Sequence, residues 1–261
     1  MTMPVLFIAH GSPMLAVEDD AYASFLTALG ASLAPRRILV FSAHWVRRGQ
    51  GVTGAMRHRL IYDFSGFPEA LYRVTYPAPG DASLLDELRE RYGDTLHVHP
   101  DRGLDHGAWV LLRRMFPAAD IPVAELSVDA SLTPEQQFQQ GRLIGDLARD
   151  GTLIIGSGGS VHNLMDVDWR HPDARSPWAV AFDDWLHKTL LANDLPELFR
   201  YRDVAPEADR AVPRDGTEHF APLFYALGAA DSAGLTAAER EMQEYQMGSL
   251  SLAVWAFREP T

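Results

Sequence analysis

The feature that most constrains the fold of this chain is a set of short apolar runs that end beside histidine, glycine or serine. The first run, residues 5–8, is followed by Ala9 and then by His-Gly-Ser-Pro at 10–13. A run of this length predicts a buried strand, and Gly-Ser-Pro predicts a turn. Because open α/β sheets bind ligands at the carboxyl ends of their strands, His10 is expected at a ligand-binding edge.

Further apolar runs alternate with amphipathic stretches along the chain. The predicted strands cover residues 5–8, 37–41, 51–56 (edge-like), 96–99, 122–127, 152–155 and 249–257. The predicted helices cover 21–33, 83–92 with Ser83 as N-cap, 108–115, 133–149, 178–191 and 217–228 with Thr217 as N-cap. Residues 195–215 are polar and are expected on the surface. The alternation predicts one α/β domain over residues 1–261, with a mostly parallel, mixed central sheet flanked by helices.

Composition excludes several classes of function. The net charge of −12 argues against nucleic acid as a partner. The chain has no cysteine, so a metal would have to be held by His, Asp or Glu. The sequence has no apolar run of 18 residues and no basic segment before a hydrophobic one at its start, so we expect a cytoplasmic protein without a membrane partner. The oligomeric state is undetermined by the sequence.

Four of the ten histidines stand out by position. His10, His44 and His162 follow predicted strands beside glycine or serine, and His219 lies at a predicted helix start beside Glu218. Neutral imidazole is a common ligand of zinc, iron, copper and nickel. The spacing matches no zinc finger and no His-Glu-x-x-His pattern. From pattern alone, a metal site at the strand ends and ordinary structural roles are equally open.

Three other stretches carry chemical signals. Asp105 precedes His106, and a carboxylate can raise the basicity of a histidine and fix its tautomer, although Asp105 could equally cap the following helix. The glycines at 156–159 match no phosphate-binding pattern, and we interpret them as letting the backbone approach a ligand and aim His162. The aromatic residues in 63–79 are either core or a lid over a flat substrate.

Seven stretches, in order across almost the whole chain, resemble the extradiol aromatic ring-opening dioxygenases of the LigB type. Within them the chain is similar to the subgroup of 4,5-DOPA dioxygenase extradiol-like proteins. The matching residues are HGSPM at 10–14, SAHW at 42–45, DFSGFP at 63–68, LDHGAW at 104–109, GSG at 156–158 with VHN at 161–163, EHFAPL at 218–223 and MGSLS at 247–251.

The resemblance implies a single divalent metal held by His10 and His44, with His219 or Glu218 completing the set. We favour His219, because the subgroup carries histidine there, and His162 would lie at the metal or against it. Iron(II) is the family's catalytic metal, and relatives with zinc are described. These features imply a small aromatic diol and O2 as substrates, with cleavage of the bond beside the diol.

The resemblance also implies the acid–base residues. His162 and His106 would exchange protons with the substrate, and Asp105 would orient or polarise His106. Three other classes compete with this interpretation. They are a zinc-dependent hydrolase with Glu218 as base, a tetrapyrrole metal chelatase, which matches the first motif only, and a metal-binding protein without catalytic activity.

Overall fold

One eight-stranded mixed sheet organises the computed structural model, which describes residues 2–260. Its spatial order is β4-β3-β5-β2-β6-β1-β8-β7. The strands are β1 (Val5–Ala9), β2 (Arg37–Val46), β3 (Gln50–Thr53), β4 (Leu96–His99), β5 (Val123–Val128), β6 (Thr152–Gly158), β7 (Ala237–Gln246) and β8 (Leu250–Arg258). The four central strands β5, β2, β6 and β1 are parallel, whereas β8 runs antiparallel to β1 and β7 to β8.

Helices cover both faces of this sheet. They are α1 (Ala21–Ala31), α2 (Ala82–Tyr92), α3 (His106–Met115), α4 (Pro134–Arg142), α5 (Asp146–Arg149), α6 (Pro177–Leu191), α7 (Leu195–Phe199), α8 (Tyr201–Val204), α9 (Ala208–Ala211) and α10 (Ala221–Ala233). The residues of β1 alternate between the two faces, as the two-residue period of a strand requires. Val5 and Phe7 pack with α10 and α6, and Leu6 and Ile8 pack with α1 and α3. The predicted mixed, mostly parallel sheet between helices is confirmed.

Several predicted boundaries were wrong. The predicted helix 133–149 is interrupted after Arg142, where Gly145 lies against the backbone of Ala229 in α10. The N-cap of α2 is Asp81, which accepts hydrogen bonds from two backbone amides, and not Ser83. The predicted edge-like strand 51–56 is β3, which has neighbours on both sides. Thr217, which was predicted as a helix N-cap, is instead the first residue of a 3₁₀ turn, Thr217–His219, that precedes α10.

Two segments that were predicted as surface, or not predicted at all, are ordered elements of the fold. Residues 195–215 form three short helices whose Leu198, Tyr201 and Ala211 are buried in the core. The sequence AAEREMQEYQ forms β7, which pairs along its length with β8 at the edge of the sheet. Charged residues are typical of an edge strand, and they hide the two-residue period by which a strand is recognised.

The carboxyl ends of three neighbouring strands create the site edge of the sheet. β1 ends immediately before His10, β2 contains His44 near its end, and β6 ends at Gly158. The turn Thr217–His219 passes directly over Gly158. A Cβ atom at Gly158 would lie 2.1 Å from the carbonyl oxygen of His219. Glycine is therefore required here, because the backbones of β6 and of the turn are in contact. Within residues 2–260, the structure contains no helix long and apolar enough to cross a membrane.

This contact yields the first prediction. We expect Gly158→Ala to destabilise the protein by about 3 kcal/mol, because the added methyl group meets backbone that cannot rotate away. The measurement is urea denaturation followed by circular dichroism. Gly159→Ala is the matched control, since its Cβ would meet only the Cβ of His162 at 3.7 Å. Equal stability of Gly158→Ala and Gly159→Ala would contradict the close packing described here.

Candidate metal centre and active site

Five histidines from separate parts of the chain converge at the site edge. The ring centroids of His10 and His44 are 4.8 Å apart, and those of His44 and His106 are 3.8 Å apart. His219 lies 5.3 Å from His10, and its ring stacks on that of His162 at 3.6 Å. The structure therefore brings together all four histidines that the sequence predicted as ligands and the predicted acid–base residue His106.

A serine fixes the tautomer of His10. The hydroxyl of Ser157 donates to the carbonyl oxygen of Gly107 at 2.5 Å, so it can only accept from Nδ1 of His10, 3.0 Å away. The proton of His10 is thereby assigned to Nδ1, and Nε2 carries a free lone pair. That nitrogen lies 2.9 Å from Nε2 of His44. The lone pair on Nε2 of His10 therefore faces the space between the histidine rings.

Carboxylates hold the outer nitrogens of three further histidines. An oxygen of Asp63 lies 2.9 Å from Nδ1 of His106 and 3.5 Å from Nδ1 of His44. Glu218 lies 3.0 Å from Nδ1 of His219. A carboxylate on one ring nitrogen fixes the tautomer and makes the other nitrogen a better ligand. In each of these three rings, Nε2 is consequently the nitrogen left for a ligand.

These donors fit a divalent metal. His10, His44 and His106 each offer a ring nitrogen within 4.8 Å of the others. Nε2 of His219 is buried and has no hydrogen-bond partner in the described part of the chain. An unpartnered buried acceptor is costly, and coordination would satisfy it. The structure thus adds His106 to the set of possible ligands, whereas the sequence predicted it only as an acid–base residue.

Burial favours the neutral form of four of these rings, those of His10, His44, His162 and His219. It lowers the pKa of His10 and of His219 well below the usual value, and the neighbouring histidines lower both further. Burial, and then His106, lowers the pKa of His44 to about 4. Burial and the adjacent His219 lower the pKa of His162 to about 3. Neutral imidazole is the form that binds metal, so the site is ready for a cation at neutral pH.

Asp105 was predicted to orient or polarise His106, but its carboxylate contacts other residues. The carboxylate of Asp105 accepts from Ser42 at 2.6 Å and from Arg102 at 2.8 Å, and Asp63 is the carboxylate that faces His106. The Ser42 hydroxyl in turn accepts from the backbone N–H of His44. Asp105 is therefore linked to the strand that carries His44, from a position at the N-cap of α3.

Behind Asp105 lies a second buried carboxylate. Glu125 on β5 accepts from the backbone N–H of Asp105 and lies 3.3 Å from Arg102. Burial, and then the charge of Asp105, raises the pKa of Glu125 well above its usual value. Arg102 thus lies against both carboxyl groups, Asp105 and Glu125, and compensates negative charge at this buried position. Sequence reasoning missed the role of Glu125, because no motif in the apolar run of β5 indicates that this acidic residue contacts Asp105.

An apolar cavity of about 450 Å³ opens onto the histidines. Its wall includes all five rings, together with Phe64, Phe67, Leu250, Leu252 and Trp169. The ring of Phe64 meets His106 edge to face at a centroid distance of 5.7 Å. The interpretation of the aromatic segment as part of a substrate lid is compatible with this position. A flat ring can enter the cavity beside the Nε2 atoms.

Sequence reasoning missed two residues of the site. Asp63 was noted only as the first letter of the Asp-Phe-Ser-Gly-Phe-Pro stretch, and Ser157 only as part of a glycine-rich turn. Both act on the outer nitrogens of the histidines, 43 and 147 residues away from their partners along the chain. A carboxylate directly before an aromatic lid segment was the available signal for Asp63.

A mixed α/β sheet whose parallel strands bring histidines to an apolar cavity is an arrangement that fits the class of metal-dependent α/β enzymes. Comparison with known proteins shows the family. Residues 4–255 match the family model described as the catalytic LigB subunit of aromatic ring-opening dioxygenase. The chain therefore belongs to the LigB family, and the predicted resemblance is confirmed.

Relatives and a solved structure agree with this assignment. The chain is 38% identical over 254 residues to an Escherichia coli K12 protein named 4,5-DOPA dioxygenase extradiol, covering 96% of this chain and 93% of that protein. It is 38% identical to a Beta vulgaris protein of the same name, covering 86% and 85%. The crystal structure of an uncharacterised E. coli K12 protein matches with a TM-score of 0.81 at 34% identity, covering 98% and 99%. The chain is an extradiol ring-cleavage dioxygenase, a metal-dependent class that acts on an aromatic substrate and O2.

The position of Asp63 yields the second prediction. We expect Asp63→Asn to weaken metal affinity by about 10- to 100-fold, because His44 and His106 lose the carboxylate that fixes their rings. Affinity is measured by competition with a chromogenic chelator. Asp168→Asn is the matched control, since Asp168 makes the same contact with Nδ1 of exposed His171 at 3.0 Å outside the site. An unchanged affinity in Asp63→Asn would show that Asp63 does not position these rings.

Proposed function

We propose that this enzyme cleaves the ring of a catechol beside its two hydroxyls, with O2 as co-substrate and one non-haem iron(II). One observation carries the proposal: the neutral Nε2 atoms of several histidines face an apolar cavity large enough for an aromatic ring. The names of the relatives support the substrate class, since DOPA is itself a catechol.

In this proposal, His10, His44 and His219 hold the metal. Ser157, Asp63 and Glu218 fix their outer nitrogens, and the buried Nε2 of His219 gains a partner. Iron(II) at this position would bind the diol oxygens and O2 and would mediate electron transfer from the catechol, which is the net reductant, to O2. Zinc binds the same donors but has no redox chemistry, so zinc-loaded protein is expected to be inactive.

His162 is proposed as the base for the catechol. Its ring lines the cavity and is unprotonated at neutral pH, because burial and His219 lower its pKa, and the nearby carboxylate of Glu218 acts in the opposite direction. Its backbone N–H is bonded to the carbonyl oxygen of Ala211, which holds the loop beside the cavity. Stacking on His219 fixes the plane of the ring.

His106 is proposed as the second acid–base residue. Asp63 holds its Nδ1, so Nε2 is the atom that exchanges a proton with the reacting ring. Burial raises the pKa of Asp63, but the hydrogen bond and charge of His106 more than offset that effect, and the pKa of Asp63 is lowered overall. Asp63 therefore stays ionised beside Nδ1 of His106. Phe64 and Phe67 give this side of the cavity an apolar wall.

The third prediction tests the reaction itself. We expect protein loaded anaerobically with iron(II) to consume O2 with at least one member of a panel of catechols that includes L-DOPA, caffeate and 4-butylcatechol, and to form a yellow semialdehyde. Oxygen uptake and absorbance are recorded together, and zinc-loaded protein is the control. Absence of both signals with a panel of catechols would contradict the proposal. It would return the hydrolase, chelatase and metal-storage alternatives to consideration.

The fourth prediction separates ligand from acid–base residue. We expect His106→Ala to retain the metal through dialysis while turnover falls by at least about 100-fold, the usual contribution of a general acid or base. His219→Ala is expected to lose the metal under the same dialysis. Metal content is measured by inductively coupled plasma spectrometry. Metal loss in His106→Ala would make His106 a ligand, as its place near His10 and His44 allows.

A further inference from the structure

The wall of the substrate cavity lacks positive charge. Within residues 2–260, no arginine or lysine lines it. Apart from the histidines, its polar side chains are Ser12, Ser251, Gln246 and Glu218, and the rest of the wall is apolar or backbone. Glu218 adds a carboxylate, and Oε1 of Gln246 is a buried acceptor without a hydrogen-bond donor. The wall therefore offers an anionic substituent no compensating cation.

Two arginines near the site histidines along the chain, Arg102 and Arg210, are paired with carboxylates outside the cavity wall. Arg102 is paired with Asp105 and Glu125, and its guanidinium lies 4.2 Å from the ring centroid of Trp45. Arg210 is paired with Asp166 and stacks over Trp178. Neither side chain lines the cavity. Burying a carboxylate without a cation is costly, so an anionic side chain on the substrate would be penalised.

The mouth of the cavity is apolar as well. Leu164 and Trp169 both line it, and they are 61% and 72% exposed. An apolar substituent that projects from the ring would cover these side chains and gain hydrophobic free energy in proportion to the area removed from water. A charged substituent would have to give up hydration against the same surface.

We propose that the enzyme prefers a catechol that carries an uncharged, apolar substituent, and that it discriminates against catechols bearing a carboxylate. This inference rests on the proposed function and names the substrate class of that same site. It separates this chain from a catalyst selected for an amino-acid substrate such as DOPA, whose carboxylate would meet the apolar wall.

The test is a binding comparison on zinc-loaded protein, in which ring cleavage does not proceed. Three catechols differ mainly in the end of one side chain: 3-(3,4-dihydroxyphenyl)propanoate, its methyl ester and 4-butylcatechol. We expect the ester and 4-butylcatechol to bind at least tenfold more tightly than the carboxylate in anaerobic isothermal titration calorimetry. Equal or tighter binding of the carboxylate would overturn the inference.

A substitution that adds a positive charge to the cavity wall provides a second test. Leu164→Arg introduces a cation at the mouth on a side chain exposed enough to change without unfolding the protein. We expect it to tighten binding of the propanoate at least fivefold and to leave the ester unimproved. Met165→Arg is the matched control, since Met165 is 95% exposed and lies outside the wall. An equal gain in both variants would show that net charge, and not the wall, decides, which contradicts the inference.

The same ligands separate this inference from the proposed function. If iron-loaded protein consumes O2 with none of the three catechols, the proposed reaction is wrong, whatever the order of binding. If it cleaves all three but with the highest kcat/KM for the propanoate, the reaction stands and the inference is wrong. We expect the ester and 4-butylcatechol to give the higher kcat/KM by at least tenfold.

Discussion

Polar contacts to the outer nitrogens of the site histidines are the interactions on which the rest of the site depends. Imidazole can bind a metal only when the coordinating nitrogen, here Nε2, is unprotonated and points at the metal. Ser157, Asp63 and Glu218 impose that condition on four rings that come from distant parts of the chain. The fold places each of these partner residues beside its histidine ring. β6 carries Ser157, and the 3₁₀ turn before α10 carries both Glu218 and His219.

The motifs placed these histidines beside strand ends and a helix start, and the resemblance implied a shared metal site, but neither indicated which residues would contact their outer nitrogens. Apolar runs followed by His10, by His44 and by the glycines before His162 predicted a mostly parallel sheet, and such sheets bind ligands at the carboxyl ends of their strands. Asp105 was assigned to His106 because the two are adjacent in sequence. Neighbours at the start of a helix point in different directions, and the true partner, Asp63, comes from a loop that no local rule connects to α3.

The errors in the fold have the same origin. β7 is polar because it forms an edge, so its pairing with β8 is visible only in three dimensions. The break between α4 and α5 follows from contact with α10, where Gly141 and Gly145 let two backbones approach closely. Local patterns describe one element at a time, whereas these features are consequences of what the element packs against. The best local predictions were those in which burial alone determines the pattern, such as β1 and β6.

In this site, neutral groups lie closest to the proposed metal position and negatively charged groups lie further out. The proposed ligands are neutral histidines, so a divalent metal would keep its full charge within the first layer, and an anionic catecholate oxygen would be attracted to it. The carboxylates of Asp63 and Glu218 compensate that charge one imidazole ring further out. The far side of the cavity, in contrast, is apolar and has no cation in the described part of the chain. Negative charge on a substrate is therefore favourable at the diol and unfavourable on the substituent, so a single cavity can bind one end of a catechol as an anion and select the other end for its lack of charge.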